Sequence, residues 1–258
     1  MELRILALCP RSRGRYTKGT KRSRERHKKL PFVCFFVFLV VLFVVRSPFV
    51  GQSPVFAQNA PPPSETTTIF LARHAQTLQR QSTATMHYLE LFQVRRRWVL
   101  PDIGYIDFGH NDYREMFIGG GYTLYEGKQL NFIEELFFEK AFGSGANDAK
   151  YLVPWTMVQY RLTDNLGGEA VYFPYVPLNK SGRAQHVLER MKLERNIGKH
   201  WKAGAGLGGY KYADNAWSHK PFLTTTLSTR WGDWEFWLQR LPGNKAQFQI
   251  RYAIVARR

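Results

Sequence analysis

The carboxyl-terminal part of the chain alternates apolar and polar residues position by position. Its clearest segment is 246–254, where alternate positions hold the apolar residues Phe248, Ile250, Tyr252 and Ile254. The positions between them hold Gln247, Gln249 and Arg251. Successive side chains of a strand point to opposite faces of a sheet. The spacing therefore predicts a strand with one apolar face and one polar face.

Segments of the same kind recur from residue 86 onward and are separated by turn residues. About ten strands are predicted in this way, at 86–99, 114–125, 129–141, 151–162, 169–178, 185–195, 199–212, 222–231, 234–241 and 245–256. Connections such as Gly232-Asp233 and Pro242-Gly243-Asn244 are rich in residues that favour tight turns. Strands at this spacing, joined by short polar turns, predict an antiparallel meander of about eight to twelve strands.

The length of these segments favours a barrel in a membrane over a soluble sheet. A strand crosses a bilayer at a tilt with about 9–11 residues, whereas strands of globular proteins average about 5–6. Aromatic residues near the strand ends are expected to form girdles at the two interfaces; they are Trp155, Tyr160, Tyr172, Tyr175, Trp201, Tyr210, Tyr212, Trp217, Trp231, Trp234 and Trp237. Gly204, Gly206 and Gly208 share one strand face, where they would relieve crowding inside a small barrel.

In this pattern residues 86–258 resemble small bacterial outer-membrane β-barrel proteins of the porin-like kind. The resemblance implies an all-β protein, an up-and-down meander closed into a barrel, with outer-membrane lipid as its partner. It also implies a non-enzymatic barrel that serves as a narrow pore, holds a ligand or supports the envelope. The alternative is a soluble periplasmic barrel or sandwich that acts as a binding module. Pro174 and Pro177 would interrupt a central strand, so the segment 171–177 is expected to be an edge, a bend or a loop.

The first 57 residues have the composition of a secretory signal peptide. Eleven basic residues lie between Met1 and Lys29, and an uncharged apolar run occupies 30–45. Val55-Phe56-Ala57 then offers small residues one and three places before a cut, so cleavage is predicted after Ala57. An uncleaved anchor formed by 30–45 is the alternative. The predicted organisation is a signal peptide at 1–57, a proline-rich linker and N-terminal segment at 58–85, and the barrel at 86–258.

Charge and cysteine content change once this segment is set apart. The whole chain has a net charge of +17, but the first 57 residues carry twelve basic and two acidic residues. The remainder is near +7, and its basic residues are interspersed with Asp and Glu, which argues against nucleic acid as a partner. Cys9 and Cys34 both precede the predicted cleavage site, so the mature protein would have no disulfide and no thiolate metal site. No cofactor and no metal is expected, and the oligomeric state is left open.

Polar residues on the faces opposite the apolar rows are the candidate functional residues, and we expect them to face the lumen. They are Glu135, Glu139, Gln159, Arg161, Arg190, Lys192, Glu194, Gln247, Gln249 and Arg251. A barrel of this size is filled by side chains or holds one small ligand, and charges inside it must pair or be hydrated. The two interpretations are a salt-bridged interior that fixes the barrel and a polar conduit or site for a small solute or lipid.

One short motif points to a different class of function. The segment Thr68 to Thr77 contains Arg73-His74-Ala75-Gln76-Thr77 and resembles the opening of the histidine phosphatase family. That resemblance implies His74 as a phosphate-accepting nucleophile and Arg73 as a phosphate clamp. The competing interpretation is an amphipathic segment at 71–80 that packs on the barrel or plugs it.

Overall fold

The computed structural model describes residues 66–78, 83–109, 112–213, 215–243 and 245–257. Every regular element in these ranges is a β-strand, and they contain no helix long and apolar enough to cross a membrane. The predicted signal peptide at 1–57, the proline-rich residues 58–64, His110 and Asn111 lie outside the described residues.

Twelve antiparallel strands follow one another around a closed barrel, so the predicted all-β meander is confirmed. They are β1 (Thr66–Leu78), β2 (Thr83–Arg95), β3 (Trp98–Asp107), β4 (Arg114–Glu126), β5 (Leu130–Phe142), β6 (Lys150–Thr163), β7 (Leu166–Pro177), β8 (Gln185–Asn196), β9 (Trp201–Tyr212), β10 (Ser218–Thr229), β11 (Gly232–Leu241) and β12 (Lys245–Arg257). The first and last strands pair from Thr67↔Arg257 to Leu78↔Ala246, and this seam closes the ring. Closure pairs every strand on both sides and leaves no open edge.

The barrel begins at Thr66 and not at the predicted boundary, Met86. The segment expected to pack on or plug the barrel is β1, a wall strand that pairs with β2 and β12. Its outward positions include His74 and Gln76, which weaken the apolar face that would identify a membrane strand. The strand β3 was also missed, because Pro101 and Gly104 interrupt its alternation.

The two prolines of β7 lie inside a strand, which corrects the expected edge, bend or loop. Pro174 stands opposite His186 of β8, and Pro177 ends β7. The β6–β7 pairing is interrupted around Pro174, between Leu152↔Val176 and Thr156↔Tyr172, whereas Pro177 still stands opposite Tyr151. A strand that loses ladder bonds over a short stretch still completes the ring.

The two ends of the barrel differ in the length of their connections. The chain enters at Thr66 and leaves at Arg257 on the same end, which we call the terminus end. The connections there are 96–97, 127–129, 164–165, 197–200 and 230–231. At the opposite end, the loop end, the connections 108–113, 143–149 and 178–184 are longer.

The outward face carries an apolar band. Leu223, in the middle of β10, is 63% exposed, and Ile118 of β4 is 53% exposed. Exposed aromatic residues gather at the terminus end; they are Trp98, Tyr125, Trp201, Trp231 and Trp234. Five predicted girdle residues instead point inward. Trp155 packs on the internal core, Tyr175 is buried, and Trp237 is 3% exposed and stacked on Phe222. Tyr210 and Tyr212 lie on the inward face of β9, where the ring of Tyr210 faces the buried Lys220.

Inside the barrel, the loop end divides into an apolar part and a polar part. The apolar part is a core of side chains from β1 to β8, with Phe117 and Phe137 in an edge-to-face contact at 5.2 Å between ring centroids. Tyr151, Phe173 and Tyr175 continue this aromatic packing. The polar part lies along β10, β11, β12 and β1 and holds Lys220, Gln239, Gln247, Gln249 and Thr77.

Candidate functional site

All ten predicted lumen residues lie on the inward face of their strands. Glu139 is buried toward the loop end of β5, and Gln159 and Arg161 of β6 line a cavity at the terminus end. The others meet charged or amide side chains from neighbouring or opposite strands, as described below. Their role in the passage of solutes stays a prediction.

An ion-pair layer crosses the lumen between the two ends. It consists of four basic and four acidic residues, namely Arg73, Arg190, Lys192, Arg251, Glu169, Glu189, Glu194 and Glu235. Arg190 of β8, which is 2% exposed, is one of its centres. Its Nε donates to Glu169 Oε1 at 2.5 Å, and its Nη1 donates to Glu189. Equal numbers of opposite charges let the layer exist with little bulk water.

Lys192 is the second centre of the ion-pair layer. Its Nζ contacts Glu235 of β11, lies 3.1 Å from Glu194 Oε2 and lies 3.5 Å from Glu169 Oε1. Glu194 also accepts hydrogen bonds from the hydroxyls of Thr224 and Thr226 of β10. Lys192 is therefore held by carboxylates from three strands.

Two of the ion pairs join strands on nearly opposite sides of the barrel. Arg73 of β1 bonds to Glu189 of β8, five places away in the ring of twelve strands. Arg251 of β12 lies 3.7 Å from Glu169 of β7, again five places away. Arg73 also lies 5.3 Å from the ring centre of Tyr88 and 5.8 Å from that of Trp237. The lumen is thus bridged from the β1–β12 seam to the facing wall.

Two local features of the chain make these contacts geometrically accessible. The β8–β9 register shifts between Leu188 and Met191, and beside this irregularity the consecutive Glu189 and Arg190 both point inward. Between β8 and β11, the inward row of β9 is glycine. A Cβ on Gly206 would lie 2.3 Å from the ring of Phe222, so no larger residue fits there without movement. The missing side chain at Gly206 therefore leaves room for the ring of Phe222, which stacks on Trp237 beside Arg73.

A cluster of three carboxyl groups lies on the wall that faces the ion-pair layer. Asp102 of β3 and Glu135 of β5 are buried, and Glu90 of β2 lies beside them. The acidic side chains of the lumen are therefore not confined to the ion-pair layer.

Cavities flank the ion-pair layer on both sides. At the terminus end a cavity of about 290 Å³ is lined by Asn131, Gln159 and Arg161, with Glu169, Lys192 and Glu194 of the layer beneath it. On the loop side a cavity of about 20 Å³ touches Arg73 and Glu189 together with polar residues of β10 to β12. Side chains of the layer line both cavities.

The polar residues on the loop side form a chain of hydrogen bonds. Gln247 Nε2 donates to Thr77 Oγ1 at 2.9 Å, and Gln249 Nε2 donates to Gln239 Oε1 at 3.1 Å. Gln239 in turn approaches the backbone carbonyl of Lys220 at 3.5 Å. This part of the lumen is lined by polar groups although it is buried.

Two carboxylates fix the connections at the loop end. Asp148 Oδ1 lies 2.9 Å from Lys140 Nζ, and this hydrogen bond lowers the pKa of Asp148, with a further contribution from Lys150. Asp112 Oδ2 accepts a hydrogen bond from the backbone N–H of Ser144 at 3.0 Å, which lowers the pKa of Asp112. Both groups stay ionised at neutral pH. Asp112 ties the connections 108–113 and 143–149 together, and Asp148 ties its connection to β5 and β6.

Sequence reasoning missed several members of the site. Arg73 was assigned only to the phosphatase motif, and Glu169, Glu189 and Glu235 were not singled out. Each of the three glutamates shares its strand with inward residues, so the same period-two pattern would have found Glu169 and Glu235. Glu189 continues the inward row of Gln185 and Val187, but the alternation changes phase at Arg190 beside a bulge, which no sequence signal marks. Within the described ranges, no group of three or more His, Cys, Asp or Glu side chains is arranged to hold a metal ion.

The two residues of the phosphatase motif lie on opposite faces of β1. Arg73 points into the lumen toward Glu189. His74 points outward, where its Nδ1 lies 3.4 Å from Nδ1 of His87 on β2. The fold does not bring these two side chains to one site.

Comparisons with known proteins identify the fold. The chain matches no protein-family model and no curated protein. The solved NanC porin is 10% identical, with 72% of this chain and 98% of that chain covered and a TM-score of 0.52. An outer membrane channel from Pseudomonas putida F1 is 11% identical, with 76% and 97% covered and a TM-score of 0.49. The KdgM porin in complex with oligogalacturonate is 8% identical, with 72% and 98% covered and a TM-score of 0.49. The likeness to the NanC porin shows that this chain shares its barrel fold.

Proposed function

We propose that the chain is an integral outer-membrane β-barrel that acts as a narrow, non-enzymatic channel for small hydrophilic solutes. The observation that carries this proposal is the reversed polarity of the molecule. Its apolar side chains, such as Leu223 and Ile118, face outward, while Arg190, Lys192 and Glu235 are buried inside.

The outward face suits lipid and does not suit water. Soluble monomers rarely expose a continuous apolar patch larger than a few hundred Å². Here strongly exposed leucine, isoleucine and phenylalanine side chains recur on strands around the ring; they include Leu89, Ile103, Ile118, Leu136, Phe138, Leu223 and Leu238. Each of them would cost about 25 cal/mol per Å² of apolar surface left in water. This band argues against the soluble periplasmic alternative.

The lengths of the connections support one orientation. Outer-membrane barrels have short turns on the periplasmic side and longer loops outside. The terminus end has the shorter connections, so we place it at the periplasmic face. The 290 Å³ cavity then opens toward the periplasm.

The polar side chains of the interior favour a channel over a purely structural barrel. A structural barrel could be filled with apolar side chains throughout, at no desolvation cost for charges. This barrel is apolar in only one part of its interior and keeps charged and amide groups in the rest. The description of the NanC structure as a porin agrees with this function for a shared fold. Lipid and a small hydrophilic solute are the partners that the proposal implies.

Membrane residence is tested by heat-modifiable mobility. A closed barrel satisfies its backbone hydrogen bonds internally, so we expect the unheated protein to resist SDS and to migrate differently from the boiled protein. The protein should also stay with the membrane fraction after a carbonate wash. Release by osmotic shock, together with identical mobility before and after boiling, would support the soluble alternative instead.

A further inference from the structure

We propose that solutes cross this barrel along a polar track that begins in the large cavity lined by β5 to β9 at the terminus end and continues along β8 to β12 and β1, and that the Arg73–Glu189 ion pair closes that track. The inference rests on the proposed channel and names its route and its closing residues.

One part of the lumen is too tightly packed to be the route. At the loop end, the side chains of β1 to β8 form a packed aromatic and aliphatic core. Phe117 shows how tightly this part is filled, because a Cβ on Gly104 would lie 2.0 Å from its ring. Apart from the buried Glu115 and Glu139, this region is apolar, and its packing leaves no room for a hydrated solute.

Polar groups follow one another without a break along the proposed track. From the terminus end, the large cavity reaches Glu169, Lys192 and Glu194. The ion-pair layer continues through Arg190 to Glu189. Beyond it, the small cavity is lined by Gln239, Gln247 and Gln249. A solute on this path would meet a hydrogen-bonding group at every level.

The contact that closes the track is the Arg73–Glu189 ion pair. Arg73 and Glu189 line the small cavity, and their ion pair crosses the lumen from the seam to the facing wall. The loop-side cavity of about 20 Å³ has room for about one water molecule. With the pair intact, a larger solute is therefore stopped at this level.

The pair is also suited to opening without loss of the barrel. Glu189 keeps Arg190 as a partner when Arg73 is removed, although the ion-pair layer then carries one negative charge in excess. Arg73 is held from its other sides by the rings of Tyr88 and Trp237, which do not bridge the lumen. Removal of this one side chain would widen the loop-side cavity toward the ion-pair layer.

Single-channel conductance in planar bilayers tests the proposal. We expect the unaltered full chain to show little conductance and Arg73→Ala to raise it on the order of tenfold, since charges at a constriction control passage at short range. Phe117→Ala is the matched control, because it empties space in the apolar core but not on the track. If Phe117→Ala opens the barrel as far as Arg73→Ala does, or if the unaltered chain already conducts as well as Arg73→Ala, the proposal is overturned.

A cysteine block locates the route independently. The two cysteines of the sequence, Cys9 and Cys34, would also react with a thiol reagent, so both are first replaced by serine in the full chain. In the Arg73→Ala background, Gln247→Cys treated with a charged methanethiosulfonate reagent should lose most of the added conductance. Leu223→Cys, on the lipid face, should keep it. An unblocked current in treated Gln247→Cys protein would show that solutes take another path.

The heat shift separates failure of this inference from failure of the proposed function. A chain without the heat shift is not a membrane barrel, and the proposed function falls. If Arg73→Ala inserts into the membrane but shows no added conductance, only the closing role of the Arg73–Glu189 pair is overturned. If Arg73→Ala itself loses the shift, Glu189→Ala takes its place, because Arg190 then keeps Glu169 as its partner; a folded Glu189→Ala protein that stays closed also overturns the proposal.

Discussion

Replacing Arg190 by alanine is expected to lower the free energy of unfolding of the barrel by about 3 to 5 kcal/mol, the usual cost of breaking a buried ion pair from one side. Arg190 is 2% exposed and bonds to both Glu169 and Glu189. Without it, the ion-pair layer holds one negative charge in excess inside a barrel wall. Unfolding by guanidinium in the presence of lipid vesicles, followed by tryptophan fluorescence, measures the effect.

The matched control restores the charge balance without restoring the contact. In Arg190→Met combined with Glu189→Gln, one charge of each sign is removed from the layer, so much of the lost stability should return. If Arg190→Ala unfolds with the same midpoint as the unaltered protein, the layer is hydrated and contributes little. If the double variant is as unstable as the single one, packing of the guanidinium matters more than its charge.

Most strands of the fold could be predicted from the alternation of apolar and polar side chains, because a membrane barrel depends on this alternation more strictly than a soluble sheet does. The last strand shows this clearly. Gln247 and Gln249 are buried in the lumen while Phe248 is 40% exposed on the outside, as the sequence predicts. Lipid on one side and a polar lumen on the other leave little freedom for exceptions. Where exceptions occur, as in β1 with His74 and Gln76 outward and in β3 with Pro101, the strand was missed.

The contacts of the site could not be predicted because they join strands that are distant in the ring. Arg73 and Glu189 are 116 residues apart in sequence and meet only when the barrel is closed. Which inward residues meet across the lumen depends on the number of strands and on the register of every ladder, and a shift of one residue reverses a face. The sequence pattern therefore gives the set of inward side chains on each strand, whereas closure decides which of them pair.

The depth of the membrane band can be tested with one charge placed at two heights. Leu223→Arg is expected to destabilise the barrel by about 2 to 4 kcal/mol, whereas Leu78→Arg should cost about 0 to 1 kcal/mol, because the penalty for a charge on the lipid face falls from the midplane to the interface. Leu223 lies in the middle of β10 and is 63% exposed. Leu78 is 53% exposed and ends β1 at the loop end.

Both side chains start as exposed leucines, so the loss of the leucine itself is similar at the two positions. Leu223→Ala and Leu78→Ala measure that common part by the same vesicle unfolding assay. The difference that remains reports the environment of the charge. In water the two arginines would be tolerated equally, because an exposed surface position accepts a charge at little cost. Equal stability of the two arginine variants would therefore contradict a lipid-facing band and favour the soluble barrel.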